Sequence, residues 1–250
     1  MIDIHTHILP NLDDGAESFE EACVMAEMAV RSEVKAIAAT PHSNDEFGFF
    51  NEESENLREQ FETFRRILKE EKIPLEVFRG MEIWASTDIA EKIKSGRLLT
   101  LNGSRYVLVE FAFEEEAWWY DAVLQQILKS GFIPVIAHPE RYTCVQENPE
   151  LVFQWYQMGA CTQMNKGSIL GRFGRDAARS AEILLKHQLY TCIASDAHHQ
   201  DYRTADMFEV LRYMKRYYGV NYTAELLQEN PLDILQNREI RRKRKPLQIF

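Results

Sequence analysis

Seven short apolar runs punctuate this chain, and amphipathic stretches of helical spacing separate them. The runs cover 2–5, 34–39, 75–79, 106–110, 132–137, 160–164 and 190–194. Most lack polar alternation, as expected for strands buried on both faces. Ser18 with Glu21 forms a helix-starting capping box, followed by an apolar stripe of Phe19, Ala22, Cys23, Ala26, Ala29 and Val30. Leu57, Phe61, Phe64 and Leu68 make a second stripe, stopped by Pro74. Gly96, Gly131 and Gly159 stand where helices should end, and Pro149 and Pro231 where helices should begin. Seven such β-α units predict a parallel α/β fold, either a barrel or an open doubly wound sheet. No Gly-rich phosphate loop follows the first run and no G-x-G-x-x-G occurs, which counts against a dinucleotide fold.

The ends of these runs favour the barrel. His5, His42, Glu82, Glu110, His138 and Asp196 each lie at or within a few residues of the C-terminal end of a different run. In a parallel barrel those ends converge on one face, where active sites are built. His7, Asp14 and His198 lie close by in sequence, giving nine imidazoles and carboxylates, the ligand types that hold divalent first-row cations. Nine exceed what one ion takes, so two or three clustered ions are expected, and clustered ions do hydrolysis at phosphorus or carbonyl carbon.

Singly, each residue has a plainer reading. His5-Thr6-His7 is equally an ordinary histidine pair, although residues two apart on a strand share a face. Asp13-Asp14-Gly15 reads as a turn, and Glu82 and Glu110 as partners of nearby arginines. The stretches around His138 and around Asp196 and His198 are the strongest local patterns. Five of the seven histidines fall in the set; His187 reads as structural and His199 as a neighbour of His198.

Composition narrows the remaining classes. At 250 residues and 45% hydrophobic content, a single domain spanning 1–250 is expected. No apolar run is long enough to span a bilayer and no leader pattern opens the chain, so a soluble, cytoplasmic protein is the expectation. Cys23, Cys144, Cys161 and Cys192 are scattered and read as free thiols, mostly buried. A net charge of −10 argues against nucleic-acid partners. Residues 238–245 hold six basic side chains and one acidic, so the basic tail at about 238–250 reads as a solvated end or as a peripheral contact with an acidic segment or anionic membrane.

The segments MIDIHTHILPNLDDGAES, ATPH, GMEI, LVEF, PVIAHPERY and ASDAH occur in order between residue 1 and about 203. In them the chain resembles the PHP superfamily, and within it the manganese-dependent tyrosine-protein phosphatases of bacterial capsular and exopolysaccharide operons. The resemblance implies a distorted seven-stranded, TIM-like (β/α)7 barrel. It implies Mn2+ in three sites, with iron, zinc or magnesium as the alternative metals. One ion would take His5, His7, Glu82 and Asp196. A second would take Glu82, Glu110 and His138, with Glu82 bridging, and a third Asp14, His42 and His198. Arg141 and Arg203 fall where the family grips phosphate. The implied substrate is the phosphotyrosine-bearing tail of a bacterial tyrosine kinase.

The expected chemistry is in-line attack on a phosphotyrosine ester. Arg141 clamps the phosphoryl group, and His198 or a water supplies any proton the tyrosinate needs. A cysteine phosphatase loop is excluded, since the positions six beyond the four cysteines are Ala29, Glu150, Gly167 and His198, not Arg. Histidinol-phosphate phosphatase is a rival, but it would tend to carry His where Asp14 and Glu110 stand. A barrel amidohydrolase would often carry lysine where Glu110 stands. A catalytically inactive kinase-binding scaffold is a third reading, opposed by the complete ligand set. Phe47, Phe49 and Phe50, and Trp118, Trp119 and Tyr120, read either as substrate-facing aromatics or as packing.

Overall fold

The computed structural model describes residues 1–240 and 246–249. Strands and helices alternate from the first residues. The order is β1 (Ile2–Thr6), α1 (Phe19–Arg31), β2 (Ala36–Ala39), β3 (His42–Asn44), β4 (Phe49–Phe50), α2 (Glu55–Glu70), β5 (Glu76–Arg79), β6 (Glu82–Trp84) and α3 (Ile89–Lys94). There follow β7 (Tyr106–Glu110), α4 (Ala117–Lys129), β8 (Ile133–Ala137), α5 (Thr143–Glu147), α6 (Glu150–Met158), β9 (Cys161–Asn165), α7 (Lys166–Ile169) and α8 (Arg175–Lys186). The chain finishes with β10 (Cys192–Ala194), α9 (Phe208–Tyr217), α10 (Val220–Ala224) and α11 (Asn230–Leu235), the last two joined by a π-helical turn.

The helices form for legible reasons. Ser18 Oγ accepts from Glu21 N at 3.2 Å and Ser54 Oγ from Leu57 N at 3.2 Å, capping α1 and α2. Glu21 does not complete a reciprocal box: its carboxylate accepts from Glu17 N and from Gln200 N, tying the helix start to a distant loop. Leu57, Phe61, Phe64 and Leu68 are all buried, and each stabilises by roughly 1.5–3 kcal/mol of apolar transfer. On α1 the buried face is Ala22, Met25, Ala26 and Ala29, whereas Cys23 is half-buried. Cys144 is likewise half-buried, Cys161 and Cys192 are buried, and no disulfide joins any of the four.

The fold is α/β with parallel sheets. One sheet runs β1-β2-β5 and the other β10-β9-β8-β7-β6-β3-β4, every pair parallel except β3 with β4. The expected count of seven strands in one barrel is therefore corrected to ten strands in two sheets among the described residues. Two of the seven expected strands pass a break and pair again. β2 stops at Ala39, Pro41 has no N–H to give, and β3 resumes at His42. β5 likewise stops at Arg79, and β6 resumes at Glu82 after Gly80 and Met81. The two breaks lie side by side, since Ala39 faces Arg79 and His42 faces Glu82. The edges of the two sheets also touch: Asp196 N donates to His5 O at 2.9 Å and His7 N to Ala197 O at 2.8 Å.

Among the described residues, no helix is long and apolar enough to cross a membrane. Most of the basic stretch 238–245 lies outside the described residues.

Candidate metal centre

His5 sits on β1, His42 opens β3, Glu82 opens β6 and Glu110 ends β7, while His138 directly follows β8 and Asp196 lies just beyond β10. Parallel strands bring these ends to one face, and the nine expected side chains meet there. His5 Nε2 and His7 Nε2 lie 3.0 and 3.1 Å from Glu82 Oε2 and 3.4 and 3.5 Å from Asp196 Oδ1. Those four residues form one compact donor group. His42, Asp14 and His198 form another, joined by His7, with Asp14 Oδ1 3.6 Å from His42 Nε2 and 3.5 Å from His198 Nε2.

The third group differs from expectation. It contains His42, Glu82 and Glu110, with His42 Nδ1 3.1 Å from Glu82. His138 Nε2 is nevertheless within 3.3 Å of Glu82 Oε1 and 3.5 Å of Glu110 Oε1. Glu82 thus touches four imidazoles and stands at the centre of the whole cluster.

Several inward-facing atoms have no hydrogen bond. Glu82 Oε2, Asp196 Oδ1, His42 Nδ1 and His198 Nε2 are buried and unpartnered among the described residues. A buried lone pair left unmatched costs about 1–3 kcal/mol, and here they converge on shared spaces. That pattern, with an all-oxygen-and-imidazole donor set, fits divalent first-row cations.

Electrostatics agree. Burial opposes the charge on Glu82, but His5 and His42 hold its carboxyl well below the usual range. Burial and then the Glu82 charge push Glu110 well above it. Burial lowers His138 and His198 to about 4, leaving both as neutral imidazoles near neutral pH. For His5 and His7, burial acts downward, but Glu82 for the one and Asp13 for the other raise them overall. Carboxylates crowded in this way repel unless positive charge lies among them.

Residues outside the expected set orient these side chains. Asp13 is the clearest. Its Oδ2 accepts from His7 Nδ1 at 2.7 Å and from His42 N at 2.8 Å, and its Oδ1 accepts from Gly15 N at 2.9 Å. Gly15 is obligatory there, since a Cβ would come 2.1 Å from His7 O. Gln163 Oε1 lies 2.9 Å from His5 Nδ1, and Asn165 Nδ2 donates to Asp196 Oδ2 at 2.6 Å. His198 Nδ1 donates to the Asp196 carbonyl at 3.0 Å, which leaves Nε2 as its lone-pair nitrogen. The signal for Asp13, Gln163 and Asn165 is contact with His7, His42, His5 or Asp196, and it exists only in three dimensions.

The backbone is strained at the same place. His138, Asp196 and Arg203 adopt left-handed φ of 32°, 51° and 47°. Each such non-glycine residue costs on the order of 1–3 kcal/mol and persists only where its surroundings hold it.

The mouth of the cluster is a cavity of about 320 Å³. Arg141 and Arg203 line it beside Phe47, Phe49, Trp84 and Phe113. Arg203 Nη2 donates to Asp196 Oδ2 at 2.6 Å, and Arg141 Nη1 is 3.6 Å from the same oxygen. Phe49 stacks on His42 at 5.6 Å between ring centroids, and Phe47 meets Trp84 edge-on at 5.6 Å. Phe50 points to solvent away from this lining. In the second aromatic group Tyr120 is core, Trp119 packs against the core and Trp118 is exposed. A larger cavity, about 820 Å³, opens at the other ends of β1, β2 and β5 and is lined by none of the nine candidate residues.

Comparison with known proteins follows this geometry. The sequence model for capsular polysaccharide synthesis, CpsB/CapC, matches residues 1–236. Tyrosine-protein phosphatase YwqE of Bacillus subtilis is 35% identical over 240 residues, covering 96% of this chain and 93% of its own. Tyrosine-protein phosphatase CpsB of Streptococcus pneumoniae is 34% identical over 245 residues, covering 96% of this chain and all of its own. A solved structure from work on these two proteins, described there as unique metal-dependent tyrosine phosphatases, superposes with a TM-score of 0.92 at 35% identity over the whole of both chains. This chain belongs to the CpsB/CapC family of capsular polysaccharide synthesis.

Proposed function

We propose that this protein is a metal-dependent protein-tyrosine phosphatase that uses three Mn2+ ions. The observation that carries the reading is the convergence of unpartnered donors from Glu82, Asp196, His42 and His198 beneath an arginine-lined, aromatic-walled cavity. Similarity over nearly the whole chain, at 35% identity, to metal-dependent tyrosine phosphatases supports it.

In this reading His5, His7, Glu82 and Asp196 hold one ion. Glu82 and Glu110 with His138 hold a second, His42 standing close enough to share it. Asp14, His42 and His198 hold the third. The bound ions supply Lewis-acid charge for the phosphoryl oxygens and an acidified water as nucleophile. The chain's own residues do the rest. Arg141 and Arg203 grip the phosphoryl oxygens; the buried Asp196 carboxylate holds Arg203 closely and Arg141 more loosely.

His198 is assigned to ligation rather than proton transfer. Its Nδ1–H is engaged by a backbone carbonyl, and its low pKa of about 4 leaves no proton to give on Nε2. A tyrosinate, with a parent pKa near ~10, can leave without strong acid help. Phe47, Phe49, Trp84 and Phe113 wall the cavity with flat apolar surface suited to an aryl ring.

The physiological substrate in this reading is a phosphotyrosine segment of a tyrosine kinase that governs capsule or exopolysaccharide synthesis, met in the cytoplasm. The two sheets, in contact through His5, His7, Asp196 and Ala197, are proposed to act together as a distorted barrel. The test is turnover of a phosphotyrosyl peptide by protein stripped with chelator and then given Mn2+. The reading expects activity lost on stripping and regained with Mn2+; full turnover in excess chelator refutes it.

A further inference from the structure

Arg141 is held by two aromatic rings. Its guanidinium carbon lies 4.5 Å over the centroid of Phe113 and 4.5 Å over that of Phe173. Phe113 also meets His138 edge-on and belongs to the cavity wall. Phe173 does neither; it comes from the short loop between α7 and α8. The loop is shaped to deliver that ring. Gly171 and Gly174, on either side of it, have left-handed φ of 76° and 90°. Arg172 N donates to Gly167 O at 2.9 Å, folding the loop back. Gly167 supplies the seat, for a Cβ there would come 2.6 Å from Phe173 Cε2. The ring is thus wedged between a glycine backbone and the guanidinium.

We infer that Phe173 is a positioning residue, which fixes the plane and direction of the Arg141 guanidinium so that it meets a phosphoryl group without first being ordered. A free arginine carries large rotamer entropy, and a guanidinium over an aromatic face is held there by attraction to the ring. Among the described residues, the one carboxylate within 4 Å of the Arg141 guanidinium is Asp196 at 3.6 Å, which is long and already shared with Arg203 and Asn165, and Glu110 attracts Arg141 only from farther off. Ring stacking is therefore the main constraint on this side chain. The inference rests on the reading of Arg141 as a phosphate-gripping residue.

The experiment uses Mn2+-loaded full-length protein. Inorganic phosphate binding is measured by calorimetry, and kcat and KM with a phosphotyrosyl peptide, for Phe173→Ala, Phe173→Leu, Phe173→Trp and Arg141→Ala, and for F173A combined with R141A. The expected result is about a tenfold loss of phosphate affinity and of kcat/KM in F173A, the scale of a lost cation–π contact. F173L, which keeps bulk without a π face, shows the same loss, and F173W recovers most of it. In the R141A background F173A adds nothing. Wild-type phosphate affinity in F173L overturns the inference, as does a full additional loss from F173A when Arg141 is absent. Undiminished phosphate binding in R141A overturns both the inference and the reading beneath it, whereas loss in R141A alone leaves the reading standing without Phe173.

Discussion

Asp13→Asn replaces one oxygen by an NH2 group of nearly equal size, in a carboxylate that sequence alone reads as part of a turn. Three donors face this carboxylate: His7 Nδ1–H, His42 N–H and Gly15 N–H. An amide has one accepting oxygen. If that oxygen faces His7 and His42, the NH2 opposes Gly15 N–H, and a buried unmatched donor costs about 1–3 kcal/mol. If the amide is turned over, the NH2 faces His7 Nδ1, and His7 escapes the clash only by moving its proton to Nε2. That nitrogen is the one pointing at Glu82 and Asp196, so the ligand lone pair is lost. Either way the charged acceptor that orients and polarises His7 is lost, so metal affinity falls. Removing such orienting partners of metal ligands generally costs about 10–100-fold in affinity, or roughly 1.4–2.8 kcal/mol. The assay is calorimetric titration of stripped D13N with Mn2+ beside wild type. Affinity within about twofold of wild type refutes the orienting role of Asp13.

Glu82→Gln removes the charge that faces His5, His7, His42 and His138, so it is expected to lower the number of bound ions and cut turnover by at least about a thousandfold; elemental analysis and peptide turnover read both. Burial lowers His138 to about 4 in the folded chain from its ordinary 6.5, so the unfolded chain binds its proton first and metal-free stability is lost as pH falls from 6.5 towards 4. Metal-free His138→Gln should therefore lose less melting temperature over that window than wild type; an unchanged slope refutes the burial cause. Ser54→Ala removes a helix cap whose hydroxyl bonds only the backbone of α2 and should cost about 1 kcal/mol, or roughly 2–4 °C in Tm, with turnover unchanged. A fall in turnover would show that α2 is coupled to the site.

The sequence showed the seven main strands because their apolar runs need no partner to be recognised. It did not show β3 and β6. Each follows a break, at Pro41 and at Gly80, and only pairing with each other and with β4 and β7 identifies them as strands. The nine ligand candidates were visible because histidines and acids at the ends of apolar runs are costly without a reason. Asp13, Gln163 and Asn165 were not visible. Their roles depend on which imidazole or carboxylate lies opposite, up to 158 residues away for Gln163 and His5. The pairing of His42 with Glu110 through Glu82 was hidden for the same reason. Phe47 and Phe49 could be read two ways from sequence; in the fold both line the cavity, whereas Tyr120 is core.

Anomalous diffraction at the manganese edge, from crystals of Mn2+-reconstituted protein, tests the metal centre most directly. Three peaks are predicted: one among His5, His7, Glu82 and Asp196, one beside Glu82, Glu110 and His138, and one among Asp14, His42 and His198. A map with no peak inside this cluster contradicts the assignment of these nine residues as metal ligands.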